Sequence, residues 1–266
     1  MGRPKAALEW HGSTLLRRTA QIMARATSGP VVVVRAAGQD LPELPDGVLV
    51  ADDPREGRGP LQGIAAGLAA LTGRADLAFV SSTDLPFLHP AFIRRVLAVL
   101  EESEDTDVAL PLARGYKQPL AAGYRVSLAE TAERLVKEDR LRPAFLFEQC
   151  QVRVLDDAEL KADPVLAALD PDLDSLLNVN TPDDYQAARR RPAPAVTVQL
   201  PDGPRSVRAA TVGAAAAAAC LPFGPHVTAT LASDRVTPGR SAGGQATTDP
   251  AVPLAAGDTV TFAPAP

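Results

Sequence analysis

The sequence is poor in cysteine and aromatic residues and contains no long hydrophobic run. Its 266 residues include two cysteines, and 4% of the residues are aromatic. Cys150 and Cys220 lie far apart, which excludes a CxxC zinc or redox site and gives no disulfide framework, so we expect two buried thiols in a reducing cytoplasm. No run approaches the roughly 18 apolar residues of a membrane helix, and the start lacks the apolar segment of a signal peptide. Neither membrane insertion nor secretion is predicted.

An excess of basic charge is also missing. Lysine and arginine total 27 against 32 aspartates and glutamates, which gives a net charge of −5, and the basic residues are scattered. Nucleic-acid-binding proteins need a basic patch or stripe, so we expect no nucleic-acid partner. His11, His89 and His226 share no metal-ligand spacing, and no GxSxG elbow occurs, so we interpret the histidines as structural or surface residues.

The sequence divides best where a charged helix end runs into proline and alanine, at 189–194. We predict a first domain over 1–190, a linker over 191–195 and a second domain over 196–266. The first domain alternates strand and helix patterns, which is typical of an α/β fold with a mostly parallel sheet and helices on both faces. Strands are predicted near Val31, Val48, Asp76, Asp107 and Val152, and helices over 14–26, 61–71, 90–101, 127–137 and 182–190.

The second domain has a different pattern. Its order is VTVQL, a tight turn at Asp202-Gly203, SVRAA, a helix around TVGAAAAAACL, and strands near 227–231 and 259–262. Two strands, a helix and further strands in one short segment predict a small α+β sheet with one helix on its face.

Ligands of an α/β sheet bind at the carboxyl ends of its strands, so polar residues there are candidates for chemistry. Asp84 follows the buried strand pattern DLAFVSS and precedes Pro86. A carboxylate in that position is well placed to hold Mg²⁺ together with substrate phosphates. The alternative, that Asp84 caps the helix entered near Pro90, requires a residue closer to the helix start.

Three further segments suggest ligand contacts. Lys5 follows a glycine and a proline, where an ammonium group and backbone N–H groups bind phosphate, although a lysine near a terminus is usually only solvated. Gly59, Pro60 and Gly63 open a helix as a phosphate or base cradle; equally, Pro60 can serve as the first helical residue and Gly63 can pack closely on the sheet. Asp53, next to Asp52 at a strand end, either contacts a base edge or makes an Asx-turn.

The segment LNVNTPDDY contains a helix start and an unassigned amide. Thr181 before Pro182 and Asp184 in the first turn have the pattern of a helix cap. Capping leaves Asn178 without a role, and its amide oxygen is a candidate second ligand of the cation at Asp84.

Taken together and in order, these stretches resemble the molybdenum cofactor nucleotidyltransferases, the MobA-like NTP transferases. MGRPKAALEWHGSTLLRR is similar to the tail of the family's signature loop, and RGPLQGIAAGL to its second glycine segment. FVSSTDLPFL is similar to its metal-aspartate strand, QPLAAGYR to its substrate-side strand and NVNTPDDY to its closing motif. The resemblance covers residues 1–190.

The resemblance implies a Rossmann-like nucleotide-diphosphosugar transferase fold and a Mg²⁺-dependent nucleotidyltransferase. Such an enzyme transfers a nucleoside monophosphate from an NTP, with GTP favoured and CTP as the alternative, to the phosphate of molybdopterin and releases pyrophosphate. Lys5 and Asp84 are then the catalytic pair, and Asp84 with Asn178 holds Mg²⁺. The implied nucleotide-binding residues are Gly2, Lys5, Asp53, Gly59, Pro60 and Gly63.

The family signature begins upstream with an apolar strand and a glycine-rich loop, whereas this sequence begins at Met1. Without that strand a sheet would expose unpaired backbone groups. We therefore expect that residues precede Met1 in the native protein.

Residues 196–266 are similar to the ubiquitin-like β-grasp sulfur carriers of the ThiS/MoaD type, on the stretches VTVQLPDGPRSVRAATVGAAAAA and PAVPLAAGDTVTFAPAP. Those carriers end in Gly-Gly, whose carboxylate is activated, whereas this sequence ends in Pro264, Ala265 and Pro266. We expect a docking or regulatory module for proteins of the cofactor pathway rather than a sulfur donor.

Two other functions remain open at this point. Related transferases use a sugar or polyol phosphate as acceptor, which would keep the enzyme class and change the substrate. Alternatively, the chain is a non-catalytic binding or scaffold protein with a degenerate transferase fold. The presence of Lys5, Asp84 and Asn178 favours an enzyme.

Overall fold

In a computed structural model of the chain, residues 5–53, 57, 59–232 and 245–265 are described. Among these residues, no helix is both long and apolar enough to cross a membrane. Gly2, one of the predicted nucleotide-binding residues, lies outside the described part of the chain.

The elements are numbered in chain order. The helices are α1 Leu15–Ala26, α2 Pro60–Leu71, α3 Pro90–Glu101, α4 Ala129–Lys137, α5 Pro143–Phe147, α6 Asp157–Lys161, α7 Pro164–Leu169, α8 Pro182–Arg189 and α9 Val212–Ala218. Short 3-10 turns cover Lys5–Ala7, Val126–Leu128 and Asp174–Leu176.

The strands are β1 Glu9–Trp10, β2 Ser13–Thr14, β3 Val32–Ala36, β4 Leu49–Asp53, β5 Leu77–Ser81, β6 Val108–Ala113, β7 Tyr116–Lys117, β8 Ala121–Arg125, β9 Val152–Leu155, β10 Ala195–Leu200, β11 Gly203–Arg208, β12 Val227–Ala232, β13 Gln245–Thr247 and β14 Thr259–Pro264. Each strand and helix predicted above is therefore present, within a few residues of its expected bounds. The short helices α5, α6 and α7 and the short strands β1, β2, β7 and β13 are not among the predicted elements.

The chain forms two compact units. The larger unit contains residues 5–7 and Leu15–Asn178, and the smaller unit contains Leu8–Thr14 together with the described residues from Val179 onward. The predicted linker over 191–195 stays a prediction.

The main sheet of the larger unit has the strand order β5-β8-β6-β7, and β9 pairs with the other edge of β6. β5, β6 and β9 run in one direction, because β8 is antiparallel to both β5 and β6 and β9 is parallel to β6. β8 lies antiparallel between β5 and β6, so the mostly parallel arrangement predicted for the first domain is interrupted at this strand. β3 and β4 form a separate parallel pair.

Alternating side chains of this sheet build two hydrophobic cores, one on each face. Phe79 of β5 packs against Phe92 of α3, with ring centroids 6.1 Å apart, in a core that also contains Ile22 of α1. The preceding residue, Ala78, belongs to the opposite core with Leu61 of α2 and residues of α4 and α5. This two-residue period is what a sheet covered on both faces requires, and the predicted helices on both faces are confirmed.

The smaller unit contains a five-stranded sheet in the order β11-β10-β14-β12-β13. β10 and β11 form the predicted hairpin, and β14 pairs parallel with β10 and antiparallel with β12. Helix α9 contributes Val212 and Ala215 to the core under the sheet, together with Val198 and Val260. The small α+β arrangement is therefore present, whereas its relation to sulfur carriers and its role as a docking module stay predictions.

The same unit contains the β1–β2 hairpin and α8. Trp10 is 3% exposed and its ring centroid lies 6.2 Å from that of Tyr185, so Trp10 packs in the interior. Arg189 pairs with Glu9 at 2.8 Å. Thr181 and Asp184 form the predicted cap of α8, each side chain accepting a hydrogen bond from the other residue's backbone N–H.

Both cysteines depart from the expectation of buried thiols. Cys150 is half-buried and Cys220 is exposed. Cys220 follows Ala219, the C-cap residue of α9, and has a φ of 58°, the left-handed conformation common at that position after a helix. His89, by contrast, is structural as predicted: it is 7% exposed, and its Nδ1 accepts the N–H of Ala91 at the start of α3.

We expect Gly123→Ala to destabilise the larger unit. A Cβ at Gly123 would lie 3.0 Å from Leu100 Cδ1 and 3.2 Å from Val96 Cγ1, so α3 would have to shift away from β8. Overpacking of this kind costs roughly 1–2 kcal/mol, measurable by urea unfolding. Gly29→Ala is the matched control, because its Cβ would meet one atom at an ordinary 4.0 Å. Equal stability of the two variants would contradict the packing argument.

The Cys150 thiol makes stability depend on alkaline pH. Burial, and secondarily the charge of Asp107, raise the pKa of Cys150 to about 11. The unfolded chain loses this proton first, at about pH 8.5, so folding stability falls as the pH rises from there toward the folded pKa. Burial also raises the pKa of Tyr124, which adds to the loss at higher pH. We expect Cys150→Ala to lose less unfolding free energy than the unmodified chain between about pH 8 and pH 10.5 in urea titrations.

Candidate active site

Asp84 lies in the loop between β5 and α3 and contacts Lys5. Lys5 Nζ donates to Asp84 Oδ2 at 3.0 Å, and the side chains are 34% and 15% exposed. The two residues are 79 positions apart in the sequence, so only the fold brings them together. The two predicted catalytic residues therefore form one charged pair with partial access to solvent.

Ser82 orients the carboxylate of this pair. Its hydroxyl donates to Asp84 Oδ1, and its backbone N–H donates to the carbonyl of Leu120 at 2.9 Å. The second bond continues the register in which Ser81 pairs with Ala121, at the carboxyl end of β5. Because both carboxylate oxygens of Asp84 have a described partner, its orientation is fixed in advance of any ligand.

A second polar contact lies at the carboxyl end of β4. Gln62, in the first turn of α2, donates from Nε2 to Asp53 Oδ1. Gln62 is 2% exposed, so this amide is held almost completely inside the protein. Asp53 is thereby held at the strand end where a base edge was predicted to bind.

The start of α2 requires glycine at position 59. Gly59 has a φ of 117°, and a Cβ there would lie 3.1 Å from the carbonyl oxygen of Leu141. The N–H of Leu61 donates to that same carbonyl at 3.2 Å, and the N–H of Gln62 donates to the Gly59 carbonyl at 3.3 Å. These two N–H groups are therefore engaged by the protein itself, and Pro60 has none to offer.

Gly63 does not pack closely on the sheet, which was one of the two interpretations of this glycine. A Cβ at Gly63 would meet no described atom within 4 Å, so close packing on the sheet does not explain this glycine. Gly67, one turn later, makes the close approach instead, 3.4 Å from Val34 Cγ2. Gly63 leaves open space on α2 beside the engaged N–H groups.

Asn178 is the last residue of the larger unit and is half-buried. Within the described residues the contacts of Asp84 are those to Lys5 and Ser82, and neither involves Asn178. The structure thus unites Lys5 with Asp84 and Asp53 with the start of α2, and it shows no direct contact between the two predicted metal ligands.

The ligand atoms at Asp84 decide whether the site can hold Mg²⁺. In the described part of the chain, no group of three or more His, Cys, Asp or Glu residues could hold a metal ion. Mg²⁺ in nucleotide enzymes is commonly held by one or two carboxylates, with substrate phosphates and water completing the shell. Asp84 is a hard oxygen donor that already faces a cation, the Lys5 ammonium. These residues fit a Mg²⁺ ion that arrives with its nucleotide rather than one held by protein ligands alone.

Comparison with known proteins identifies the family. The model of the MobA-like NTP transferase domain matches residues 1–154. This chain belongs to the MobA-like NTP transferase domain family. A solved structure of molybdopterin-guanine dinucleotide biosynthesis protein A from Archaeoglobus fulgidus shares the fold, with a TM-score of 0.54 and 22% identity over 71% of this chain and 90% of that one. The α/β nucleotidyltransferase fold expected from the sequence is confirmed.

Two sequence relatives extend the similarity beyond the family model. A protein of Bacillus cereus strain Q1 named probable molybdenum cofactor guanylyltransferase is 27% identical over 194 residues, which cover 71% of this chain and 89% of the relative. A protein of the same name from Bacillus anthracis strain CDC 684 is 26% identical over the same shares. This MobA-like chain is therefore similar to nearly the whole length of both relatives.

Sequence reasoning missed Ser82 and Gln62 as site residues of this MobA-like domain. A signal for Gln62 was present, because it is a polar residue among the apolar positions Leu61, Ile64 and Leu68 that α2 buries. Ser82 had a weaker signal, since small polar residues at a strand end occur in many loops.

We expect Gln62→Leu to weaken nucleotide binding. The change keeps the approximate volume and removes the amide that holds Asp53, so the carboxylate loses its fixed orientation. Loss of one such bond corresponds to about a fivefold higher Kd for a fluorescent GTP analogue, measured by equilibrium titration. Asp52→Asn is the control, because Asp52 is 55% exposed and pairs with Arg35 at 2.7 Å. An unchanged Kd for Gln62→Leu would contradict a role of Asp53 in nucleotide binding.

Proposed function

We propose that this MobA-like chain is a Mg²⁺-dependent nucleotidyltransferase that transfers GMP from GTP to the phosphate of molybdopterin and releases pyrophosphate. The observation that carries the proposal is the Lys5–Asp84 pair at the carboxyl end of β5. The names of the Bacillus relatives support the guanylyl donor and the molybdenum cofactor as acceptor.

The reaction requires the neutralisation and alignment of several phosphates. An oxygen of the acceptor phosphate attacks the α-phosphorus of GTP, the bond from that phosphorus to the bridging oxygen of the β-phosphate breaks, and pyrophosphate leaves with the bonding electrons. In such transfers the protein takes little part in the covalent chemistry. Its contribution to the rate comes mainly from positioning the phosphates and neutralising their charge. Among the residues described, Lys5 supplies a cation and Asp84 an oriented carboxylate for this purpose.

Lys5 serves as the phosphate-binding cation. Its ammonium group is partly exposed and held by Asp84, and an ammonium group has three donors, so it can bind triphosphate oxygens as well. Asp84, oriented by the Ser82 hydroxyl, is the carboxylate that would hold Mg²⁺, with Asn178 as the further predicted ligand. When bound, Mg²⁺ neutralises phosphate charge as a Lewis acid.

Asp53 favours guanine as the base. A carboxylate only accepts hydrogen bonds, and guanine presents the N1–H and N2–H donors side by side on one edge, whereas cytosine presents its N4 donor beside acceptors. Gln62 donates to one oxygen of Asp53 and so helps to orient the carboxylate. The open space at Gly63 lies one residue further along α2, where a nucleotide can approach the helix closely.

The test is a transfer assay with the full chain, Mg²⁺, molybdopterin and GTP, CTP or ATP in parallel. We expect pyrophosphate release with GTP and a guanine dinucleotide product identified by mass spectrometry. If a cytosine dinucleotide forms instead, the donor is CTP and not GTP. If transfer occurs only to sugar or polyol phosphates, the proposed acceptor is wrong. If no transfer to any acceptor occurs, the result favours the alternative that the chain is a non-catalytic binding or scaffold protein.

We expect Lys5→Met and Asp84→Asn each to lower the rate of pyrophosphate release by about a hundredfold, because each removes a charge aimed at the phosphates. Lys137→Met is the matched control, since Lys137 belongs to a solvent-exposed pair with Glu133 on α4, 3.7 Å apart. Circular dichroism establishes that the variants are folded. If Asp84→Asn releases pyrophosphate as fast as the control, Asp84 has no role in the reaction.

A further inference from the structure

The position of Asp84 depends on a loop rather than on a strand or helix. Residues 82–89 connect β5 to α3 and contain no regular element, although Asp84 has to meet Lys5 at 3.0 Å. Within the loop, the N–H of Leu88 donates to the carbonyl of Leu85 at 3.1 Å, which closes one turn after Asp84. Such a loop keeps one conformation when buried contacts from neighbouring elements hold it.

Arg18 of α1 supplies the first of these contacts. Its Nε–H donates to the carbonyl oxygen of Pro86 at 2.7 Å in the interior, and Arg18 is 8% exposed. Burial of a guanidinium group is costly unless its donors are satisfied. The chain therefore uses a buried cation to hold a backbone carbonyl two positions after Asp84.

Ser175 supplies the second contact, at the other end of the loop. Its hydroxyl accepts the N–H of His89 at 3.0 Å, and Ser175 is 0% exposed. Ser175 is itself fixed, because Asp170 Oδ2 accepts its backbone N–H at 3.1 Å and Asp170 is 6% exposed. The same turn leads to Asn178, three residues later.

We propose that Arg18 and Ser175 are positioning residues of the transfer reaction, which hold the Asp84 loop from two sides and thereby keep Asp84 against Lys5. The proposal rests on the function proposed above. Neither residue hydrogen-bonds to Asp84 itself; they hold the backbone of the loop at Pro86 and at His89, from separate elements of the larger unit. Ser175 also links the Asp84 loop to the segment that ends at Asn178, so one contact sets the relative position of both predicted Mg²⁺ ligands.

Lysine is a poor replacement for arginine at position 18. The Nε–H of arginine is part of a planar group and reaches the Pro86 carbonyl in a fixed direction, whereas a lysine ammonium sits at the end of a flexible chain. Arg18→Lys therefore keeps the positive charge and loses the directed bond. Ser175→Ala keeps nearly the same volume and loses the acceptor of the His89 N–H.

The experiment measures transfer kinetics and amide hydrogen exchange on the full-length variants. A displacement of a reacting group of about 1 Å lowers transfer rates strongly, so we expect Arg18→Lys and Ser175→Ala each to lower kcat by about tenfold or more. KM for GTP is expected to stay within about twofold, because GTP binding also involves Asp53 and α2. Exchange of the amides in the peptide covering 82–89 is expected to accelerate, with the strands β6 and β8 unchanged.

Arg95→Lys and Ser103→Ala are the matched controls. Arg95 of α3 donates to the carbonyl of Glu159 at 3.2 Å, and Ser103 accepts a hydrogen bond from Thr106 at 3.1 Å. Both lie in the larger unit. Arg95, like Arg18, donates to a backbone carbonyl, and the Ser103 hydroxyl, like that of Ser175, accepts a hydrogen bond, although from a side chain; neither of these bonds is made to the Asp84 loop. We expect both controls to keep the kcat of the unmodified chain at a temperature well below their unfolding midpoints.

Two results would overturn the positioning role. One is a kcat for Arg18→Lys and Ser175→Ala equal to that of the controls, and the other is faster exchange spread over the whole larger unit, which indicates general destabilisation. If the unmodified chain transfers no nucleotide, the proposed function fails, and the affinity for Mn²⁺ with a non-hydrolysable GTP analogue, measured by calorimetry, takes the place of kcat. A Mn²⁺ affinity unaffected by Arg18→Lys and Ser175→Ala would then reject the inference.

Discussion

The pairing of β8 with β5 on one side and β6 on the other is the constraint on which the larger unit depends. Through β8, the strand that leads to Asp84 is joined to the rest of the sheet, and Leu120 just before β8 holds Ser82. The fully buried side chain of Tyr124 fills the core under α2 and α4, while Gly123 lets α3 approach from the opposite face. A shift of β8 would disturb both cores and the site together.

The site uses two different ways to hold a carboxylate. Asp84 is held by charge and by a hydroxyl, Lys5 and Ser82, and both contacts can be exchanged for a charged ligand. Asp53 is held by the neutral, buried amide of Gln62. In the proposed function, the Gln62 amide adds no charge beside Asp53, the carboxylate proposed to contact the base, whereas Lys5 places a cation beside Asp84, the carboxylate proposed to act at the phosphates.

The strands and long helices could be predicted because their apolar patterns are set by local periodicity, as in DLAFVSS and in α3. The direction of β8 could not, because antiparallel insertion between β5 and β6 depends on pairing across the sheet rather than on the pattern of AAGYR. The helices α5, α6 and α7 have five or six residues, too few for a helical period. Lys5 and Asp84 are both predicted as site residues, yet their contact joins distant segments. The polar residues Gln62, Ser82 and Arg18 likewise acquire their partners only in the folded chain.

Gly63 and Gly59 are subject to different constraints, one from ligand binding and the other from folding. No described atom lies where a side chain at position 63 would begin, so folding by itself places little restriction on that position beyond the modest helix propensities of the replacements. At Gly59, by contrast, backbone conformation and the Leu141 carbonyl restrict the residue whether or not a ligand is bound. A lineage that kept the fold but lost nucleotide binding would therefore accept substitutions at position 63 and still require glycine at position 59.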